Sequence, residues 1–429
     1  MLQSILIKNI YVIDKNYSCD KKYDILIKDG IISRIAGEID ECTDITVNGE
    51  GLTAFPGLFD MHVHLRDPGL THKEDIITGT GAAAAGGVTG LLCMPNTKPC
   101  TDNEETIRYI TDKAAGTGVK VYPCACITNG MKGEQLSDFE MYSRLGVKAV
   151  SDDGRPVESA GMMYEALKKA DEKNILVTSH CEDMSIIGKG IMNKGAVSEE
   201  LGVNGMDRAS EDSITAREIA LAGAADCRIH IAHVSTKGSI GFIRDAKARG
   251  IKVTCETCPH YFILTDEKLR LRDADYRMNP PLRESSDVEA MTEAVKDGTI
   301  DCIVTDHAPH AASEKADFEK APNGVVGLET SFAAAATYLY HTGKISLARL
   351  AQLMSENPRK LLGIDPVYVR EGYPADMCIA DMNMEWTVKP DELHSKSHNT
   401  VFKGMKFKGK PVMTISDGAI IYSDPQIKY

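Results

Sequence analysis

The first 54 residues alternate apolar and polar positions with no helical period, in SILIKNIYVID and again in YDILIKDGIISRIAG. Asp29-Gly30 falls between two such runs and marks a hairpin turn. From about Asp365 the same style returns in ADMCIAD, MEWTVK and DGAIIYS. Two β-rich ends around a different middle predict one small β-sandwich domain built from both termini, residues 1–54 plus 366–429; two separate edge sheets would give the same pattern. The middle, residues 55–365, carries eight short β-branched runs: 59–64, 88–94, 119–127, 147–151, 175–180, 228–233, 252–256 and 301–306. Helix-like segments separate most of them, at Glu104–Ala115, Met162–Lys173, Ser213–Ala224, Ile240–Arg249 and Ser286–Val295. Apolar strands alternating with helices call for a parallel sheet covered on its faces, and eight such units fit a closed α/β barrel of the (β/α)₈ type. An open doubly wound sheet is the runner-up, but it needs a Gly-rich phosphate turn after its first strand. The weak candidate for that turn, Gly81 to Gly87, lies in an Ala-rich helical stretch instead.

Composition narrows the function classes. The chain has 429 residues, 43% hydrophobic and 26% charged, as expected of a globular protein. Its 49 Lys+Arg against 62 Asp+Glu give a net charge of −13, which argues against nucleic acid or anionic lipid as the main partner. A negatively charged metabolite would need locally placed Arg and Asn. No uncharged apolar run is long enough for a spanning helix, and the opening MLQSILIKNIYVIDKNYS lacks a signal-peptide apolar region. The twelve cysteines are too few for a disulfide scaffold. Reduced thiols in the cytoplasm are the expectation.

In a barrel the C-terminal strand ends surround one cavity. The first run ends in His62 and His64, the fourth leads into Asp152-Asp153, the fifth ends in His180, the sixth in His233 and the eighth in Asp306. His62 and His64, two apart on a strand, share one face. An isolated HxH is weak, but His180, His233 and carboxylates at corresponding ends make a divalent-metal site the better reading, because zinc takes imidazole and carboxylate. Four His and two carboxylates exceed the needs of one tetrahedral ion with an open position, so two ions sharing a bridging carboxylate use the set better. Asp153 can bridge; Asp152 competes, and the pattern does not separate the neighbours. Asp306 is left as ligand, general base, or both. His230, three residues before His233, points to the opposite face and reads as structural. His72, His341, His394 and His398 lack strand-end placement and read as solvent or packing residues. Cys255 and Cys258 form a CxxC without the second pair a zinc ribbon requires, and Cys124 and Cys126 read as buried wall.

These residues sit in longer motifs. DMHVHLRDPG (60–69), MPNT (94–97), SDDG (151–154), MNPPLR (278–283), TDHAPH (305–310) and APNGVVGLET (321–330) together resemble class I, bacterial-type dihydroorotases of the amidohydrolase superfamily. GYPAD (372–376) resembles the family's return into its β-sandwich, and the likeness spans nearly the whole chain in order. HxH alone would be unspecific; DMHVHLRDPG with MNPPLR and TDHAPH is specific. The resemblance implies a metal-dependent barrel with a composite terminal β-sandwich, interconverting N-carbamoyl-L-aspartate and L-dihydroorotate in pyrimidine synthesis. It implies two Zn²⁺ per subunit, one held by His62 and His64, the other by His180 and His233, with Asp153 bridging. Asp306 would be a ligand of the first zinc and the catalytic acid/base. His64, Arg66, Asn96, Asn279 and His310 would hold substrate, with backbone around Asn323 and Gly324.

Chemistry supports these assignments. A guanidinium fork beside two amides suits the carboxylate that does not react, although Asn96 and Asn279 could equally stabilise loop turns and His310 could be loop packing. Residues 311–326, polar with Gly and Pro after Asp306, read as a lid. Hydantoinase and allantoinase relatives bridge their metals with a carboxylated lysine; here Ser151 holds the corresponding place and Lys148 lies three residues earlier, which disfavours that reading. A non-catalytic scaffold for aspartate transcarbamoylase is the other rival, and retention of all six expected ligands speaks against it. The expected partners are a small-molecule substrate and a second copy in a homodimer; working alone and docking on aspartate transcarbamoylase are both compatible with the sequence.

Overall fold

The computed structural model describes residues 3–429. Near the N-terminus are β1 (Ile5–Val12), β2 (Lys22–Lys28), β3 (Ile31–Ala36), β4 (Ile45–Asn48) and β5 (Leu52–Pro56). The barrel begins with β6 (Leu58–Val63), β7 (Val88–Cys93), β8 (Lys120–Pro123), β9 (Ala149–Val150) and β10 (Leu176–Ser179). A small parallel pair, β11 (Met192–Asn193) and β12 (Gly205–Met206), precedes β13 (Ile229–Ile231), β14 (Val253–Thr257) and β15 (Cys302–Ile303). The chain closes with β16 (Met377–Thr387), β17 (Lys406–Ser416) and β18 (Ala419–Ser423).

Strands β6-β7-β8 and β9-β10-β13-β14-β15 form two parallel sheets. Isolated parallel bridges, Ala125 to Val150 and Val63 to His307, join them at both seams and close the ring. The eight apolar runs are therefore the eight barrel strands. The helices lie where periodicity places them, at Glu104–Ala114, Ala160–Glu172, Ala209–Ala225, Lys237–Ala248 and Ser285–Asp297. Asn103, Ser159 and Thr236 cap three of them by accepting from the third backbone N–H beyond. The third helix begins at Ala209, four residues before the expected start. Its first turn carries buried Glu211, which accepts from the backbone N–H groups of Ser235 and Thr236 and holds the loop after β13.

Seven of the eight regular strands end before their apolar runs do, β14 alone running on to Thr257, and the reason is local. The runs end at His180, His233 and Asp306; the ladders end at Ser179, Ile231 and Ile303. His233 (φ 31°) and Asp306 (φ 47°) lie in the left-handed region, as does Arg66 (φ 59°) just beyond β6. Such a backbone leaves the extended conformation and costs about 1–3 kcal/mol for a non-glycine residue. Beside Asp306, the Thr305 N–H is taken by the Asp60 carboxylate instead of by a neighbouring strand.

The strands from both chain ends pair in one eight-stranded sheet, ordered β18-β17-β16-β5-β1-β2-β3 with β4 on β1. β5 is the junction: it runs parallel to β1 and antiparallel to β16, with Phe55 opposite Cys378. Residues such as Ile7, Ile10, Ile25, Ile27, Met377 and Ile415 form a core separate from that of the barrel. The Ala-rich stretch is a helix (Ile76–Ala85) packed against this sheet, where Thr414 Oγ1 donates to Ala84 O at 2.6 Å. Gly87 (φ 84°) follows it, and a Cβ there would come within 2.4 Å of Cys378 Sγ, so only glycine allows the approach.

Candidate metal centre

Asp153, reached from the loop after β9, sits among four imidazoles. Its Oδ1 is 3.4 Å from His62 Nε2, 3.4 Å from His180 Nδ1 and 3.5 Å from His233 Nε2; its Oδ2 is 3.5 Å from His64 Nε2. The His62 and His233 rings lie 4.9 Å apart, centre to centre. Asp306 closes the other side, with Oδ1 3.1 Å from His64 Nε2 and 3.7 Å from His62 Nε2. All six side chains are buried. Asp152 faces away: its carboxylate accepts from the backbone N–H groups of Ile127 (2.8 Å) and Thr128 (3.1 Å) and from the Thr128 hydroxyl.

The cluster fits a cation. His62–His64–Asp153 and Asp153–His180–His233 each bring three ligand atoms within reach of one ion. His62 Nε2 and Asp153 Oδ1 are buried without a hydrogen-bond partner among the described residues, and His180 Nδ1 lies 2.9 Å from His233 Nε2. Ring nitrogens and a carboxylate oxygen buried this close together are costly unless positive charge sits among them. The titration tendencies agree. Burial lowers the His62 pKa, yet Asp153 and Glu256 pull it well above the ordinary value. Burial likewise works against His180, but Asp153 and Glu182 raise it to about 10. Asp153 is held well below the carboxylate range, chiefly by His62, although burial pushes the other way. Asp306 is lowered against burial too, by His64, His62 and His233. His64 is lowered, by burial first and by Arg66.

The partners behind the rings were not expected from the sequence. Buried Glu256 accepts from His62 Nδ1 at 2.7 Å, and its other oxygen lies 3.2 Å from His230 Nε2. Glu182 Oε2 is 3.2 Å from His180 Nε2, and Asn279 Nδ2 donates to Glu182 Oε1 at 2.9 Å. His64 Nδ1 faces Asn96 Oδ1 at 2.8 Å. His230 is thus buried and off the centre, but it bears on the carboxylate behind His62. Glu256 was legible as the terminal residue of the seventh run, and Glu182 as the second residue after His180.

Beside the cluster is a cavity of about 210 Å³ whose walls include His64, Arg66, Asn96, Asn279, His310, Asn323 and Gly324, with Asp153, His180, His233 and Asp306. Arg66 is buried; its Nε donates to Pro309 O at 3.2 Å. His310 Nε2 donates to Asn323 O at 2.9 Å while its Nδ1 accepts from Lys73 Nζ at 3.1 Å. Burial and then Arg66 and Lys73 push the His310 pKa down to about 2, so the ring is neutral. Arg66 Nη2, 3.4 Å from His310 Nε2, meets another donor there. Among the described residues no carboxylate pairs with Arg66, and the guanidinium faces the cavity with donors to spare. Lys73, which pairs with Glu314 at 3.0 Å, carries no strand-end signal and was missed. Gly324 (φ 145°) passes so close to Ala308 that a Cβ would lie 2.6 Å from its carbonyl oxygen. The Gly324 N–H donates to Arg277 O and its carbonyl accepts from Lys315 Nζ and Asn399 Nδ2. Buried Lys315 also donates to Arg277 O and Pro322 O, tying residues 311–326 to the residue just before the MNPPLR motif.

Two larger clefts, about 410 and 570 Å³, contain no histidine. The first includes Lys148, beside Lys120, Tyr122 and Arg359, so this lysine is not among the side chains around Asp153. The cysteines are all free thiols, Cys255 and Cys258 both buried. No helix among the described residues is long and apolar enough to cross a membrane.

A dihydroorotase from Geobacter metallireducens is 49% identical over 422 residues, 98% of this chain and 99% of that protein. The chain belongs to the dihydroorotase family. A dihydroorotase from Acetivibrio thermocellus is 46% identical, covering 97% of this chain and 98% of its own. The family description "Dihydro-orotase-like" matches residues 51–239, which hold every histidine of the cluster. Among solved structures, an L-hydantoinase (dihydropyrimidinase) from Arthrobacter aurescens superposes with a TM-score of 0.87 at 25% identity, covering 100% of this chain and 98% of that one. The dihydroorotase relatives and the hydantoinase-type barrel agree on a cyclic amidohydrolase, and the family together with its two His/Asp groups implies a bound metal.

Proposed function

We propose that this protein interconverts N-carbamoyl-L-aspartate and L-dihydroorotate with a pair of zinc ions, as a step of pyrimidine synthesis. The observation that carries the reading is the convergence of four imidazoles and Asp306 on Asp153. His62 and His64 would hold one ion, His180 and His233 the other, with Asp153 between and Asp306 beside the first. Charge supports two divalent ions: Asp153, Asp306, Glu182 and Glu256 bring four negative charges to the imidazole cluster, and two dications offset them. When bound, the metal supplies Lewis-acid polarisation of the carbonyl and activation of water.

The remaining steps belong to the side chains. Arg66, with the free amide hydrogens of Asn96, receives the carboxylate that does not react. Asn279 and the neutral His310, the latter beside Arg66, also line the pocket, and the loop at Asn323 and Gly324 closes it. In hydrolysis, water oxygen joins the ring carbonyl carbon, the C–N bond breaks, and Asp306 takes the water proton and delivers it to the departing nitrogen. In synthesis, the ureido nitrogen attacks the side-chain carboxyl carbon, Asp306 returns the proton, and water leaves. Residues 311–326 act as a lid, residues 1–54 plus 366–429 form a sandwich domain apart from the barrel at 55–365, and the enzyme works in the cytoplasm as a homodimer, either alone or docked on aspartate transcarbamoylase.

Dihydroorotate hydrolysis followed by ultraviolet absorbance, with metal counted in the same preparation, tests the reading. The wild type should hold two zinc ions and be active; D306A should keep most of its metal and lose activity. Full activity in D306A would refute the proton-carrier role, and absence of activity in metal-replete wild type would refute the reaction.

A further inference from the structure

The four rings around Asp153 differ in what stands behind them. His62 is backed by the Glu256 carboxylate at 2.7 Å and His180 by the Glu182 carboxylate at 3.2 Å. His64 is backed by a neutral amide oxygen at 2.8 Å, and His233 Nδ1 has no hydrogen-bond partner among the described residues. Each expected pair, His62 with His64 and His180 with His233, therefore contains one ring backed by a buried carboxylate and one that is not.

We infer that Glu256 and Glu182 are positioning residues, one for each cation of the centre, each fixing the tautomer and orientation of a single ligand ring. The inference rests on the two-cation reading above. An ionised carboxylate only accepts. Glu256 thus keeps the proton on His62 Nδ1 and leaves the Nε2 lone pair facing Asp153. Glu182 does the reverse for His180, holding the proton on Nε2 and leaving Nδ1 for the centre. A carboxylate behind a ligand imidazole also makes that ligand more basic, and removing such a partner lowers metal affinity by about 10- to 100-fold. The two anchors are themselves held differently. Glu256 leans on His230, whose Nδ1 lies 2.8 Å from Thr254 Oγ1, entirely within the strand layer. Glu182 is held by Asn279, which lines the cavity. Loss of Glu182 frees a cavity-lining amide; loss of Glu256 does not.

E256Q and E182Q remove the charge and keep the shape. Zinc would be titrated against a chromogenic chelator and counted by mass spectrometry, with KM and kcat measured on zinc-saturated protein. Each variant should retain one tight ion and hold the other about 10- to 100-fold more weakly, and the double variant should weaken both. E182Q alone should also raise KM. Two ions held as tightly in both variants as in the wild type would overturn the inference and leave the two-cation reading intact. Equal weakening of both ions by either single change would overturn it as well. A wild type that binds fewer than two ions would overturn the two-cation reading and the inference with it. If circular dichroism shows a glutamine variant unfolded, E256D or E182D takes its place, since a shorter carboxylate keeps the charge but loses the ring, and the same results decide.

Discussion

Arg66→Lys is the most direct probe of how substrate is read. The guanidinium is fixed by one bond, Nε to Pro309 O at 3.2 Å, and its Nη groups have no carboxylate partner among the described residues. A substrate carboxylate would take two charge-assisted hydrogen bonds from them, each worth about 1.5–3 kcal/mol. Lysine keeps the charge but is a single point without the fork, so one of the two bonds is lost. At 1.4 kcal/mol per tenfold, kcat/KM for dihydroorotate should fall roughly 10- to 150-fold, mostly through KM. The control is 5,6-dihydrouracil, the same ring without the carboxylate, for which R66K and wild type should agree within about threefold, a loss below 0.7 kcal/mol. The assay is the fall in ultraviolet absorbance as either ring opens. Equal losses on both substrates would refute the reasoning, because Arg66 would then be supporting the loop at Pro309 and not the carboxylate.

Other expectations are as direct. D153A should lose metal, measured by mass spectrometry, whereas D152A should keep it and lower unfolding stability by about 2–4 kcal/mol, since it leaves two buried backbone N–H groups unpaired. Burial brings the Lys315 pKa down to about 7, with Asp275 partly opposing. An unfolded lysine binds its proton up to about pH 10.4, so between about pH 7 and 10 the unfolded state holds more protons and stability rises with pH. K315M should flatten that rise in denaturant titrations, and an unchanged slope would refute it. Protease cleavage within 311–326 should slow when dihydroorotate is bound; equal rates with and without ligand would remove support for a lid.

Much of this architecture is written locally. Eight β-branched runs and the helices between them set the barrel, because period and length are local properties. The imidazoles were legible because strand ends of a barrel converge, so a residue's place in its own strand fixes its place in the cavity. Asp152 and Asp153 are indistinguishable by pattern; the difference arises because the backbone of Ile127 and Thr128, on a neighbouring strand end, captures the first of them. Lys73 and Glu182 project from loops, where no periodicity reports direction, and their partners His310 and His180 are set by the closed barrel alone. Glu256 had the right position but reads equally as a buried strand carboxylate until His62 is seen against it.

The pairing of β5 with both β1 and β16 has a consequence for synthesis on the ribosome. Pro56 and its antiparallel partner Met377 are separated by nearly the whole barrel. At roughly 5–20 residues per second, the nascent chain holds one edge of β5 without its partner for on the order of 15–60 s. During that interval the open flank invites pairing with other chains, so chains that stop short of Met377 should be captured by chaperones or proteases however complete their barrel.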